Sequence, residues 1–192
     1  MGRLLSFSER DRTPGSPARG RIDEATFEAL FRSAAEDVHG YAISLLGDRA
    51  AAEDVTSLAF ERLYRSRARL DLRRGTPRAL LFAIARNAAL DELRRRRRQP
   101  ESALAEELVK AHDAGAGAEF EHVERRATVH DALAALPVRE REVVLLKFHG
   151  QLSHGELARA LGISESNAAT RLHRALTRLR AECHSMGPRE VA

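Results

Sequence analysis

The sequence predicts an all-α protein: two small helical bundles joined by a flexible acidic linker, the second bundle containing a helix-turn-helix. Three observations lead there. Apolar residues recur at i, i+3, i+4 and i+7 through both halves of the chain, the spacing of a one-sided helix. No segment shows the period-two alternation of a half-buried strand. Between the halves, residues 100–124 are acidic, rich in Ala and Gly and weakly periodic, with room for one short helix near Ala103–Ala111.

The first helix is expected over residues 23–47. Phe27, Leu30, Phe31, Ala34, Ala35, Val38, Tyr41, Ala42, Leu45 and Leu46 form its stripe, Asp23 caps its start and Gly47 ends it. Asp48 then caps a second helix with Ala52, Val55, Ala59 and Leu63 on one side. The segment "RSRARLDLRRGT" breaks the pattern and reads as a loop. Thr76 and Pro77 suit the N-cap and first turn of a third helix, which meets no breaker before Pro100. Its middle, "ALLFAIARNAAL", is apolar on most sides and belongs at the centre of a bundle.

After the linker, "ERRATVHDALAALP" places Val129, Ala132, Leu133 and Leu136 on one face and stops at Pro137. "REREVVLLKFHG" is a helix ending at Gly150. Ser153 with Glu156 three residues later is a capping box opening "SHGELARALG", which Gly162 ends. Ser164 caps a last helix, "ESNAATRLHRALTRLRAE". The division is therefore a basic tail over 1–22, a bundle over 23–99, the linker over 100–124, a second bundle over 125–182 and a short tail over 183–192.

Charge separates along the chain. Residues 23–61 carry 2 basic against 9 acidic side chains, residues 62–99 carry 13 against 3, and residues 100–127 carry 3 against 7. An acidic block beside a basic one fits two different partners. Lys110 and Lys147 are the only lysines, so arginine supplies nearly all the positive charge. Cys183 is the single cysteine, which excludes an internal disulfide and fits a reducing, cytoplasmic setting. No stretch approaches the ~20 apolar residues of a membrane span, and the amino-terminal tail lacks the apolar run of a signal peptide.

The last two helices, joined by a turn at Gly162, are a helix-turn-helix candidate. Ala168, Leu172, Ala175, Leu176 and Leu179 share one face of the second, while Ser166, Asn167, Thr170, Arg174 and Thr177 lie opposite, with Arg171 at the edge. Short polar side chains permit close approach to a major groove, and arginine suits guanine or phosphate. A plain amphipathic helix with a solvated face has the same spacing.

At these residues the chain resembles a family. "ALAALPVREREVVLLKFHGQLSHGELARALGISESNAATRLHRALTRLR" is similar to the carboxy-terminal domain of extracytoplasmic-function (ECF) sigma factors of bacterial RNA polymerase. "LLGDRAAAEDVTSLAFERLY" and "TPRALLFAIARNAALDELRRRRR" resemble that family's amino-terminal domain. The resemblance implies that the first bundle holds the polymerase clamp and opens the downstream promoter element, and that the second reads the upstream element. Core RNA polymerase and promoter DNA are then the partners, with an anti-sigma factor as a further candidate. The upstream element would fall to Ser166, Asn167, Thr170, Arg171 and Arg174. The downstream element and DNA backbone would fall to Arg73, Arg74, Arg86, Asn87, Arg94, Arg95, Arg97 and Arg98; Arg86 and Asn87 could equally be structural. Asp54, Ser57, Leu58, Glu61 and Arg62 would face the polymerase.

Five consecutive arginines, Arg94–Arg98, encircle a helix whose residues turn by about 100° each. No single groove takes all five. Two or three are expected on phosphates and the rest in solvent, for positioning and non-specific affinity. Positive charge at a helix C-terminus is also stabilising in its own right. The loop before the third helix, where the family holds a flipped promoter base, has arginines but no aromatic for stacking.

Three positions depart from the family pattern. Ser57-Leu58 stands where a Gln-Glu pair is common, Leu80 where a tryptophan is common, and Ala169 where the recognition helix commonly has a lysine. The first departure bears on polymerase binding. Eight histidines show no HExxH or paired Cys/His spacing, and there is neither a phosphate-binding glycine loop nor a nucleophile elbow. No catalyst, metal or cofactor is expected. Besides a promoter-specificity subunit, the sequence leaves open a DNA-binding regulator acting without polymerase and an interaction module derived from a sigma factor.

Overall fold

The structure, a computed structural model, describes residues 22–67, 75–98 and 120–186, with side chains in the last span from Ala127 onward. The described residues form seven helices and no strand: α1 (Glu24–Leu46), α2 (Arg49–Ser66), α3 (Pro77–Arg98), α4 (Phe120–Ala135), α5 (Val138–Phe148), α6 (His154–Leu161) and α7 (Glu165–Met186). The proposed short helix near 103–111, the loop arginines Arg73 and Arg74 and both tails lie wholly or mostly outside the described residues.

Local chemistry sets most boundaries where the sequence indicated. Asp23 accepts from the Thr26 amide at 2.8 Å to start α1, and Gly47 ends it at φ 67°, a left-handed conformation that glycine adopts without a steric cost. Asp48 caps α2 through the Ala51 amide at 3.2 Å. Thr76 caps α3 through the Ala79 amide at 3.2 Å. The Ser153–Glu156 capping box opens α6, and Ser164 takes the Asn167 amide at 3.2 Å to open α7. Two extents differ from expectation. α4 starts at Phe120, inside the stretch read as linker, and α7 continues through Cys183 to Met186.

The helix α3 lies at the centre. Leu81, Phe82, Ala85 and Ala89 are fully buried, with α1 and α2 on one side and α6 on another. In α4 the expected face is only partly right: Ala132 and Leu136 are buried, whereas Val129 is 44% exposed. On α1 the stripe turns inward except at Phe31, which is 49% exposed and packs edge-on against Phe60. The two bundles are not separate bodies. One apolar cluster runs from Leu30 and Val38 on α1 through Leu81 and Phe82 to Leu145, Leu146, Leu152 and Leu157.

Candidate nucleic-acid interface

The helix-turn-helix presents the face that the spacing predicts. Ala168, Leu172 and Ala175 of α7 are buried, and Ser166, Asn167, Thr170, Arg171 and Arg174 are all exposed. Gly162, at φ 67°, makes the turn. Asn167 Oδ1 accepts from Arg171 Nε at 3.2 Å, and the Thr170 hydroxyl donates to the Ser166 carbonyl at 3.0 Å. These contacts hold the polar side chains along the helix near its N-terminus, where a backbone dipole also favours phosphate.

The arginine run divides by contact. Arg94 pairs with Asp91 at 2.6 Å, and Arg95 pairs with Glu92 at 2.8 Å; both arginines are largely exposed, and the Arg94–Asp91 pair, exposed on both sides, is a weak surface contact. Arg97 and Arg98 are exposed. Arg96 is different. It turns inward to Asp48 at 2.6 Å and to Glu92 at 2.8 Å, with its side chain 24% exposed. The expectation that arginines not on phosphate stay in solvent therefore fails at Arg96, which ties the end of α3 to the start of α2. The hydrogen bonds from Arg95 and Arg96 hold the Glu92 carboxyl below its usual range against the opposing effect of burial.

The face assigned to polymerase lies on α2. Asp54, Ser57, Glu61 and Arg62 are exposed, and Glu61 is paired with Arg65 at 3.1 Å. Leu58 is half-buried. It lines a shallow groove between α2 and α3 with Val55, Arg62 and Arg95, so it presents less apolar surface than its place at the edge of the stripe indicated.

Comparison with known proteins identifies the two units. The family description "Sigma-70 region 2" matches residues 30–99, and "Sigma-70, region 4" matches residues 126–179. The ECF RNA polymerase sigma factor SigL of Mycobacterium tuberculosis is 30% identical over 176 residues, covering 86% of this chain and 93% of that protein. The chain belongs to the ECF sigma factors. RpoE of Cereibacter sphaeroides, another ECF sigma factor, is 30% identical over 164 residues, covering 84% of this chain and 88% of its own length. The fold agrees with the solved sigma factor RpoE of Bartonella quintana, in complex with the anti-sigma factor NepR (TM-score 0.66, 22% identity, 81% and 95% of the two chains). It agrees also with CnrH in complex with the cytosolic domain of CnrY (TM-score 0.60, 23% identity, 85% and 90%). As a sigma factor, the protein binds core RNA polymerase and directs promoter-specific initiation. No helix of the described residues is long and apolar enough to cross a membrane.

In this sigma factor the seam between the region 2 and region 4 units, besides its apolar cluster, carries polar contacts that the sequence reading did not anticipate. Arg78 of α3 donates to the Gly150 carbonyl at 2.8 Å and the His149 carbonyl at 2.7 Å, and pairs with Asp37 of α1 at 2.5 Å. Thr76 donates to Glu156 at 2.6 Å. Arg86, one of the candidate DNA contacts, is paired with Glu142 of α5, which is 4% exposed; Asn87 beside it remains exposed. Burial pushes the Glu142 carboxyl up, and Arg86 opposes that shift. His149 sits over Gly40, where an added Cβ would lie 2.9 Å from the imidazole, and burial lowers its pKa against the pull of Asp37. A signal for Glu142 was present in the sequence. With Val138, Leu145 and Leu146 it falls on the i, i+4, i+7, i+8 stripe of α5, a carboxylate among apolar positions.

Proposed function

We propose a division of labour by residue within the established activity. Ser166, Asn167, Thr170, Arg171 and Arg174 read the upstream promoter element in the major groove. Arg94, Arg95, Arg97 and Arg98 fix the backbone of the downstream element, and Asn87 with Arg86 contacts the element itself. Asp54, Ser57, Leu58, Glu61 and Arg62 meet the polymerase clamp. The observation that carries this reading is the α7 face: all five proposed reader residues are exposed while Ala168, Leu172 and Ala175 on the opposite side are buried. The protein acts in the cytoplasm by binding alone, with no catalytic step. An anti-sigma factor is a further proposed partner, since one of its fold neighbours, RpoE of Bartonella quintana, is solved bound to one.

Promoter-dependent transcription with core polymerase tests the reading. Arg171→Ala and Arg174→Ala should each weaken upstream-element binding, by ~1–3 kcal/mol where a bidentate guanine contact is lost, with relaxed preference at one base pair. Unchanged transcript from every selected promoter would remove α7 as the reader. Specific DNA binding without any transcript would favour a regulator that acts apart from polymerase.

A further inference from the structure

We propose that the amino-terminal tail docks back on the protein: Leu4, Leu5 and Phe7 cover an exposed aromatic ladder on α1 and α2, and the tail arginines lie against the acidic start of α1.

The ladder is continuous. Phe31 packs on Phe60 with ring centroids 4.8 Å apart, Phe60 on Phe27 at 6.2 Å, and Phe27 on Tyr64 at 5.0 Å, all edge-on. The Arg67 guanidinium closes the far end, 3.6 Å from the centre of the Tyr64 ring. Phe60 is buried and Phe27 half-buried, but Phe31 is 49% exposed and Tyr64 37%. A lone surface aromatic is ordinary, whereas a contiguous apolar patch marks an interaction site.

Size, position and charge select the tail as the occupant. A whole Phe or Tyr side chain buries about 150–250 Å², so the three partly exposed rings offer roughly 300 Å² at most. A stable complex takes ~800 Å² from each partner. The ladder alone is too small to hold a second copy or a separate protein. A tethered segment, by contrast, sits at an effective concentration in the millimolar range and needs little affinity.

The tail also starts at the right place. Ile22, the residue that follows it, is buried, and its amide donates to the Arg67 carbonyl at 3.4 Å. The tail therefore leaves the fold beside the Tyr64 end of the ladder. Phe31 lies nine residues further on, about 14 Å along α1. The fifteen residues from Phe7 to Arg21 span up to ~50 Å, ample to return that far. All the large apolar residues of the tail, Met1, Leu4, Leu5 and Phe7, fall within its first seven positions.

Charge agrees with this pairing. Residues 1–21 carry 5 basic against 2 acidic side chains, and residues 23–36 carry 1 against 4. The same acids disfavour a nucleic acid on the ladder. On α2, Ser57, Glu61 and Tyr64 are spaced i, i+4 and i+7 and share a face. The docked tail thus borders the surface proposed to meet polymerase.

Disulfide capture tests the clasp in the full chain. Cys183→Ser removes the native thiol, Ser6→Cys places one between two anchors, and Arg32→Cys places one beside Phe31. Equilibration with a glutathione buffer gives the effective concentration of one thiol for the other. That value should exceed, by about tenfold, the value for the same chain carrying Leu4→Ser, Leu5→Ser and Phe7→Ser, whose tail is tethered but lacks its anchors. Phe31→Ala in place of the tail changes should give the same fall, with unchanged helical circular dichroism. Equal values with and without the anchors overturn the proposal. A link that forms between chains, with a yield that rises with protein concentration, overturns it in favour of a second copy on the ladder.

Discussion

Replacing Arg96 by glutamine should destabilise the fold and leave DNA binding almost unchanged, while the same replacement at Arg97 should do the reverse. The magnitude follows from what Arg96 holds. Its guanidinium donates to Asp48 at 2.6 Å and to Glu92 at 2.8 Å, and reaches the Leu46 carbonyl at 3.4 Å, joining the ends of α1 and α3 to the cap of α2. A hydrogen bond to a charged group is worth ~1.5–3 kcal/mol. Glu92 keeps Arg95, and Asp48 keeps the Ala51 amide, so neither carboxylate is orphaned. With partial exposure of all three side chains, the expected loss is about 2 kcal/mol. That corresponds to a fall in Tm of about 4–8 °C for a chain of this size. Glutamine and arginine have similar helix propensities, and both positions lie in the last turn, so propensity and dipole terms cancel in the comparison. Thermal unfolding gives the first quantity. Titration of mixed-sequence duplex DNA against salt gives the second, with a slope flattened by about 0.9 for Arg97→Gln. Equal Tm values for the two variants, together with equal loss of salt slope, would refute the assignment of Arg96 to structure.

Three further outcomes are expected. The Tyr41 hydroxyl is fully buried and has no hydrogen-bond partner among the described residues, so Tyr41→Phe should preserve or raise stability, by up to about 1 kcal/mol in denaturant unfolding; a clear loss would reveal an acceptor that phenylalanine cannot serve. Burial opposes ionisation of Glu156, yet hydrogen bonds from Thr76 and Ser153 bring its pKa down to about 2 from the ordinary 4.5. A carboxyl lowered in the folded state contributes stability above its unfolded pKa and loses it as pH falls through the folded value. The stability difference between the native chain and Glu156→Gln should therefore shrink between about pH 4.5 and pH 2, and a difference constant over that window contradicts the bonding. The double change Ser57→Gln with Leu58→Glu should speed association with core polymerase at low salt, because a carboxylate steers toward a basic surface and leucine does not; slower or equal association would place Leu58 in the interface as an apolar contact.

Most of the local structure was legible because it is decided locally. Asp23, Asp48, Thr76, Ser153 and Ser164 all cap the helices they precede, and each needs only an amide three residues away. The α7 face was legible for the same reason. What the sequence did not carry is which charged groups meet across distance. Arg78 and Arg86 both read as members of a basic block, yet their partners lie 41 to 72 residues away on α1, on α5 and at its end. Within "RRRRR" nothing local distinguishes Arg96, because its inward turn depends on Asp48, 48 positions earlier. Val129 shows the converse: its spacing is right for burial, but no element of the described residues covers that side of α4.

The apolar cluster that crosses the seam has a consequence for how the molecule comes apart. Leu81 and Phe82 belong at once to the hydrophobic interior of α1–α3 and to the contact with Leu152 and Leu157. Heat that loosens region 4 exposes part of the surface on which region 2 relies, so neither unit can melt without weakening the other. In calorimetry the two regions then share a single cooperative transition, with calorimetric and van't Hoff enthalpies in agreement. Once the seam is open, that sharing ends, and region 2 and region 4 unfold as two independent transitions of lower enthalpy each.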